Sequence, residues 1–165
     1  MAVASAAGCG SSDGPRESWV GDIDEAMAAV DDERDGAQEY FEVTATPQLT
    51  NVFVAADDAT VAIPYVFVDG ELQPPAPPLE GASGLTFTAA DVDIDETAVL
   101  SQVEAEVPGA MIVALSVEGA RVADAGTGAV GDGDVRYVVS VQSERGGFLD
   151  VTVSGDGRIL AVDPL

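Results

Sequence analysis

The sequence predicts an α+β fold of two tandem units, each one helix packed on a roughly four-stranded antiparallel sheet. Three observations carry this expectation. Apolar runs are strand-sized and separated by Gly, Pro, Asp and Ser. Two stretches instead space their apolar residues for a single helix face. Short segments also recur in the same order at nearly one offset: Asp22–Ala26 as Asp93–Thr97, Gly36-Ala37 as Gly109-Ala110 and Tyr65-Val66 as Tyr137-Val138.

In the first unit, Ile23, Met27 and Val30 share one helical face, and Asp24-Glu25 put acids in the first turn, where the helix dipole favours them. Asp31–Gly36 ends that helix at a glycine. Strands are expected over Glu39–Thr46, Leu49–Ala55 and Thr60–Val68, which are rich in Val, Thr, Tyr and Phe. Asp57-Asp58 and Asp69-Gly70 supply the turns. Gln73–Pro78 is a connector, because its prolines forbid a central strand. Leu85–Ala90 is expected as the fourth strand.

In the second unit, Asp95 is the expected N-cap and Val99, Leu100, Val103 and Val107 the apolar face of a helix that Pro108-Gly109 stops. Strands are expected over Met111–Glu118, Val135–Val141, Phe148–Val153 and Arg158–Val162, with Gly146-Gly147 and Gly155-Asp156-Gly157 closing the last hairpins. Gly119–Gly133 reads as a Gly/Ala loop with a short strand at Arg121–Ala123. The boundaries follow: a remnant and tether over 1–18, then units over 19–92 and 93–165.

Charge narrows the function. The 165 residues hold 30 Asp and Glu against six Arg, with no Lys and no His, for a net charge of −24. Nucleic acid and anionic membrane surfaces both need a basic face, which six scattered Arg cannot build. A Ser-His dyad, a Lys nucleophile and any His-containing metal site are excluded by composition. One Cys makes neither an internal disulfide nor a thiolate zinc site. With 47% hydrophobic residues the chain can still bury a core. The acids read as a solvated coat, with a docking face for a basic partner as the alternative.

Ala6-Ala7-Gly8-Cys9, ahead of a Gly/Ser/Asp/Pro segment, resembles the lipobox of bacterial lipoproteins of actinobacterial type. The resemblance implies export, cleavage before Cys9, a lipid on its thiol and anchoring on the outer face of the cytoplasmic membrane. Eight residues before Cys9 cannot hold a whole signal peptide. This reading ascribes that to a start codon placed too late or to a trimmed chain.

Leu100–Gly109, followed by Ala110–Val117, resembles the opening of a PepSY domain, and Val135–Val141, Phe148–Val153 and Gly155–Val162 resemble its closing strands. The paired units are also similar in topology to the β-lactamase inhibitor protein, without its disulfides. These resemblances imply a non-catalytic module that binds a protein or peptide in the cell envelope, with peptidase inhibition or modulation as one form. The alternatives are a carrier of a small or apolar molecule and a structural envelope module. A deep apolar pocket would indicate the carrier, and an exposed sheet with aromatic residues the protein binder.

No catalytic residue, metal site or cofactor is expected. Asp91, Asp93 and Asp95 open like a calcium loop, but Glu96 and Gln102 stand where its Gly and Glu belong, and a strand exit with a helix cap accounts for them. The glycines around Asp124, Asp132 and Asp134 lack the Gly-Lys-Ser/Thr ending of a phosphate loop. The binding candidates are Tyr40, Tyr65 and Phe67. Alternation puts Tyr65 and Phe67 on one face and Val66 and Val68 on the other, so an apolar surface there could meet a ligand or the second unit.

Overall fold

The computed structural model describes residues 17–120, 135–144 and 146–165. A short 3-10 turn, Glu17–Val20, drops Trp19 and Val20 into the core and leads into helix α1, Asp22–Glu33. Strands β1 (Tyr40–Ala45), β2 (Thr50–Ala56), β3 (Val61–Val68), β4 (Glu71–Leu72) and β5 (Leu79–Glu80) follow. Helix α2, Glu96–Glu106, precedes β6 (Met111–Gly119), β7 (Val135–Gln142), β8 (Phe148–Val153) and β9 (Ile159–Pro164).

The nine strands of the described residues form one sheet, ordered β4-β3-β2-β1-β6-β7-β8-β9, with β5 also pairing with β3. Every pairing is antiparallel. The class is therefore α+β, with two helices on an antiparallel sheet. Each helix leads into strands that meander away from the sheet centre, and β1 and β6 meet there.

Both helices cover the same face. α1 buries Ile23, Ala26, Met27 and Val30, the expected stripe, against β1, β2, β3 and β4. α2 buries Val99 and Val103, with Leu100 and Val107 packed at the margin. Beneath them lie Val43, Val52, Val54, Leu115, Val117, Val139, Val141, Val151 and Val153, from alternate positions of five strands. Removing each such side chain from water contributes roughly 1.5–3 kcal/mol.

Two buried tyrosine hydroxyls lock the helices down. Tyr40 donates to the Asp31 carboxylate at 2.6 Å and lies 3.1 Å from the Met27 carbonyl, so it holds the last turns of α1. Tyr137 accepts from the Asp93 N–H at 2.8 Å and donates to the Asp93 carbonyl at 3.1 Å, fixing the approach to α2. The Asp95 side chain then caps α2 by accepting from the Ala98 N–H at 2.9 Å, as its position in sequence predicts.

The Gly155-Asp156-Gly157 turn presses on the same helix start. The Asp95 N–H donates to the Gly155 carbonyl at 2.8 Å, and a Cβ on Gly155 would fall 2.0 Å from the Asp93 carbonyl oxygen. Glycine is needed there for the contact with α2, beyond any need of the turn.

Sequence and structure part at several places. Leu85–Ala90 is not a fourth strand. Leu85 and Phe87 make isolated bridges to Gly119 and Tyr40, and Ala89–Asp91 closes into a 3-10 turn. The outer place beside β3 goes to β4 instead, across an Asp69-Gly70 turn with positive φ at both residues, the hairpin geometry that those residue types favour. The Tyr65/Tyr137 match falls on the third strand after α1 and the second after α2. The strand expected at Arg121–Ala123 and the glycines around Asp124, Asp132 and Asp134 lie outside the described residues.

Thr50 is fully buried, and its hydroxyl has no hydrogen-bond partner among the described residues. Such a group costs its desolvation without return. Thr50→Val is expected to raise stability by about 1 kcal/mol in urea denaturation.

The tyrosines set a pH dependence. Burial, followed by the hydrogen bond and charge of Asp31, raises the Tyr40 pKa well above the ordinary phenol range. Burial also raises the Tyr137 pKa, against the lowering effect of its Asp93 backbone hydrogen bond. Both phenols stay protonated in the fold, so their contribution is complete below the unfolded value of about 10 and is lost as pH rises beyond it. Unfolding at pH 8 and pH 11 should show a loss on the order of 1 kcal/mol per tyrosine, and the Tyr40→Phe/Tyr137→Phe double variant should show a flatter profile.

Candidate functional site

With both helices on one side, the other face of the sheet is open. The three residues expected to bind do not lie on it. Tyr40, Tyr65 and Phe67 are 0%, 4% and 5% exposed and pack in the core under the helices. Tyr65 and Phe67 do share a face, as alternation requires, and that face is the covered one. Cys9 lies outside the described residues.

The aromatic residues that line a depression in the open face are Phe41 and Phe53. A β-bulge explains Phe41. In the pairing of β1 with β2, Tyr40 opposes Val54 and Glu42 opposes Phe53, so Phe41 is the extra residue. A bulge re-aims one side chain against the simple alternation of a strand. Tyr40 stays in the core, while Phe41 lines a depression with Phe53.

That depression is an open groove of about 340 Å³. Its floor is the row of side chains that the register lines up across the sheet: Phe53 of β2 beside Glu42 of β1, Glu42 opposite Glu118 of β6, and Glu118 opposite Arg136 of β7. Its wall is the segment Ala82–Leu85. The Ala82 N–H donates to the Thr60 carbonyl at 2.9 Å, and Leu85 bridges Gly119. A Cβ on Gly119 would fall 2.2 Å from the Leu85 carbonyl oxygen, so glycine lets the wall close against β6. Gly84 stands against the Phe41 ring, which a Cβ there would touch at 3.4 Å.

The charges in the groove are unevenly paired. Glu118 forms a salt bridge with Arg136 at the rim. Glu42 accepts a hydrogen bond from the Thr44 hydroxyl at 2.6 Å. The Thr44 and Ser116 hydroxyls meet at 2.8 Å; the Thr44 proton goes to Glu42, so Ser116 is the donor between them. Two carboxylates thus sit directly opposite on neighbouring strands, an arrangement that repels.

Further along the open face one row runs Val66, Asn51, Thr44, Ser116, Val138 and Thr152, mixing polar with β-branched apolar side chains, and the next holds Ser140 and Asp150. Phe148 and Met111 are exposed at its far end, each opposite Gln142.

Among the described residues no group of three or more Cys, Asp or Glu is placed to hold a metal ion, and no helix is long and apolar enough to cross a membrane. Chemically, the groove offers two aromatic side chains, a wall of small residues and two carboxylates on its floor. No protein-family model, curated protein or solved structure matches this chain.

Proposed function

We propose that this is a non-enzymatic, PepSY-like binding protein of the bacterial cell envelope, held on the outer face of the cytoplasmic membrane by a lipid on Cys9, and that its open sheet face receives a segment of a protein or peptide. Inhibition or modulation of a peptidase is one outcome of such binding. The observation that carries the reading is the groove between Phe41, Phe53 and the Ala82–Leu85 wall. It is shallow and open, which suits side chains of a partner segment better than an enclosed apolar molecule.

The chain is further read as two copies of one helix-and-four-strand unit, over 19–92 and 93–165, with 1–18 as remnant and tether. Three observations support the duplication. On the main path of the sheet four antiparallel strands follow each helix, with β5 as an additional partner of β3, and the runs join through their first strands. Thr44 opposes Ser116 at the same offset that separates Tyr65 from Tyr137, with Val43 opposite Val117 and Ala45 opposite Leu115. That register is unchanged when the copies exchange places. The bulges at Phe41 and Val113 are separated by this offset too, each in the pairing of a first strand with a second.

Selection from a random peptide library against the immobilised full chain tests the binding reading. Sequences should enrich on the parent and fail to enrich on Phe53→Ala, a partly buried open-face position whose loss leaves the core intact. Equal recovery on both proteins would move the function away from the groove. The anchor is tested by fractionating cells: Cys9→Ala should pass from the membrane to the soluble fraction, and unchanged retention removes the lipid from the reading.

A further inference from the structure

The geometry points to an arginine side chain of the partner segment as the occupant of the groove, an inference that rests on the peptide-binding reading above. The floor sets Glu42 directly opposite Glu118, with Phe53 beside Glu42 and Phe41 at the bulge. Opposed like charges cost stability in a sheet, and a cation between them relieves that cost. Arg136 neutralises Glu118 from the far side, while the protein partner of Glu42 is the neutral Thr44 hydroxyl. Among the described residues, one carboxylate therefore faces the groove without a cationic neighbour, in a chain of net charge −24.

The aromatic side chains choose between cations. A guanidinium is planar, is weakly hydrated and stacks on a ring while its edge donates to a carboxylate. An ammonium is compact and strongly hydrated, and so gains less from a shallow groove. The partner is thus a polypeptide whose arginine lies between small or apolar residues that follow the Ala82–Leu85 wall.

The corresponding positions around the second bulge lack this chemistry. Val113 stands for Phe41, Ala114 for Glu42, Ser140 opposite Ala114 for Phe53, and Thr46 for Glu118. One arginine is taken per chain.

The test is an amide NMR titration of the full chain with the peptide acetyl-Gly-Leu-Arg-Leu-Gly-amide and its twins carrying Gln or Lys at the centre. The Arg peptide should saturably shift amides of residues 41–42, 53, 84–85 and 118–119 at one site. The Gln twin should bind at least about tenfold more weakly and the Lys twin in between. Glu42→Gln should remove most of the Arg preference, whereas Glu104→Gln, on an exposed face of α2, should leave it intact. Equal binding of the Arg and Gln peptides at the groove overturns the arginine assignment and spares the peptide-binding reading. No shift at the groove with any of the peptides removes both. Shifts spread over the acidic surface without saturation also overturn the assignment, because they report charge attraction alone.

Discussion

The antiparallel contact of β1 with β6, from Glu42 opposite Glu118 to Ala45 opposite Leu115, is what the rest of the structure depends on. It joins the strands that follow α1 to those that follow α2, so both helices can lie on one continuous face. Its inward residues Val43, Ala45, Leu115 and Val117 form the middle of the core. Its outward residues are Glu42, Thr44, Ser116 and Glu118, the polar centre of the open face. A single short ladder therefore decides which side chains share the interior and which charges stand together in the groove.

The ends of that ladder matter as much as its centre. Beyond Glu42 and Glu118, the segment through Leu85 and Phe87 bridges both β6 and β1. Phe87 is buried against Tyr40, with ring centres 5.9 Å apart, while residues just before it form the groove wall. One short stretch thus seals the core and shapes the opposite surface. This is why a residue without a side chain is needed at Gly119, where wall and sheet come closest.

Much of this was legible in the sequence. Ile23, Met27 and Val30 give α1 by spacing, and Asp95 gives the start of α2 because a carboxylate there can satisfy a free N–H. The main strands declare themselves by residue type and by the turns between them. Alternation also shows that Tyr65 and Phe67 share a face, but it cannot say which face the helices cover. Phe41 is not legible in the sequence, because a bulge displaces it from the alternation and no local residue signal marks the bulge. Leu85–Ala90 has strand composition, yet its backbone partners come from two different strands, which fixes it as a link. The glycine requirements at 119 and 155 arise from carbonyls distant in sequence, Leu85 and Asp93. The acids at both helix starts favour the dipoles, but their mutual cost appears only in space: burial first, then Asp24 and Asp22, raise the pKa of Glu96.

The β1–β6 ladder also has a meaning in time. Along the main path of the sheet, every other neighbouring pair joins strands that are consecutive in the chain, and β5 skips only β4 to reach β3, whereas β1 and β6 are separated by β2 to β5 and α2. Pairing them closes this long loop before any of its own contacts repay the lost chain entropy. Local meanders can form quickly, but a long-range pairing raises contact order and slows folding. The seam that makes one sheet out of two runs is therefore the contact that sets the pace of reaching the native state.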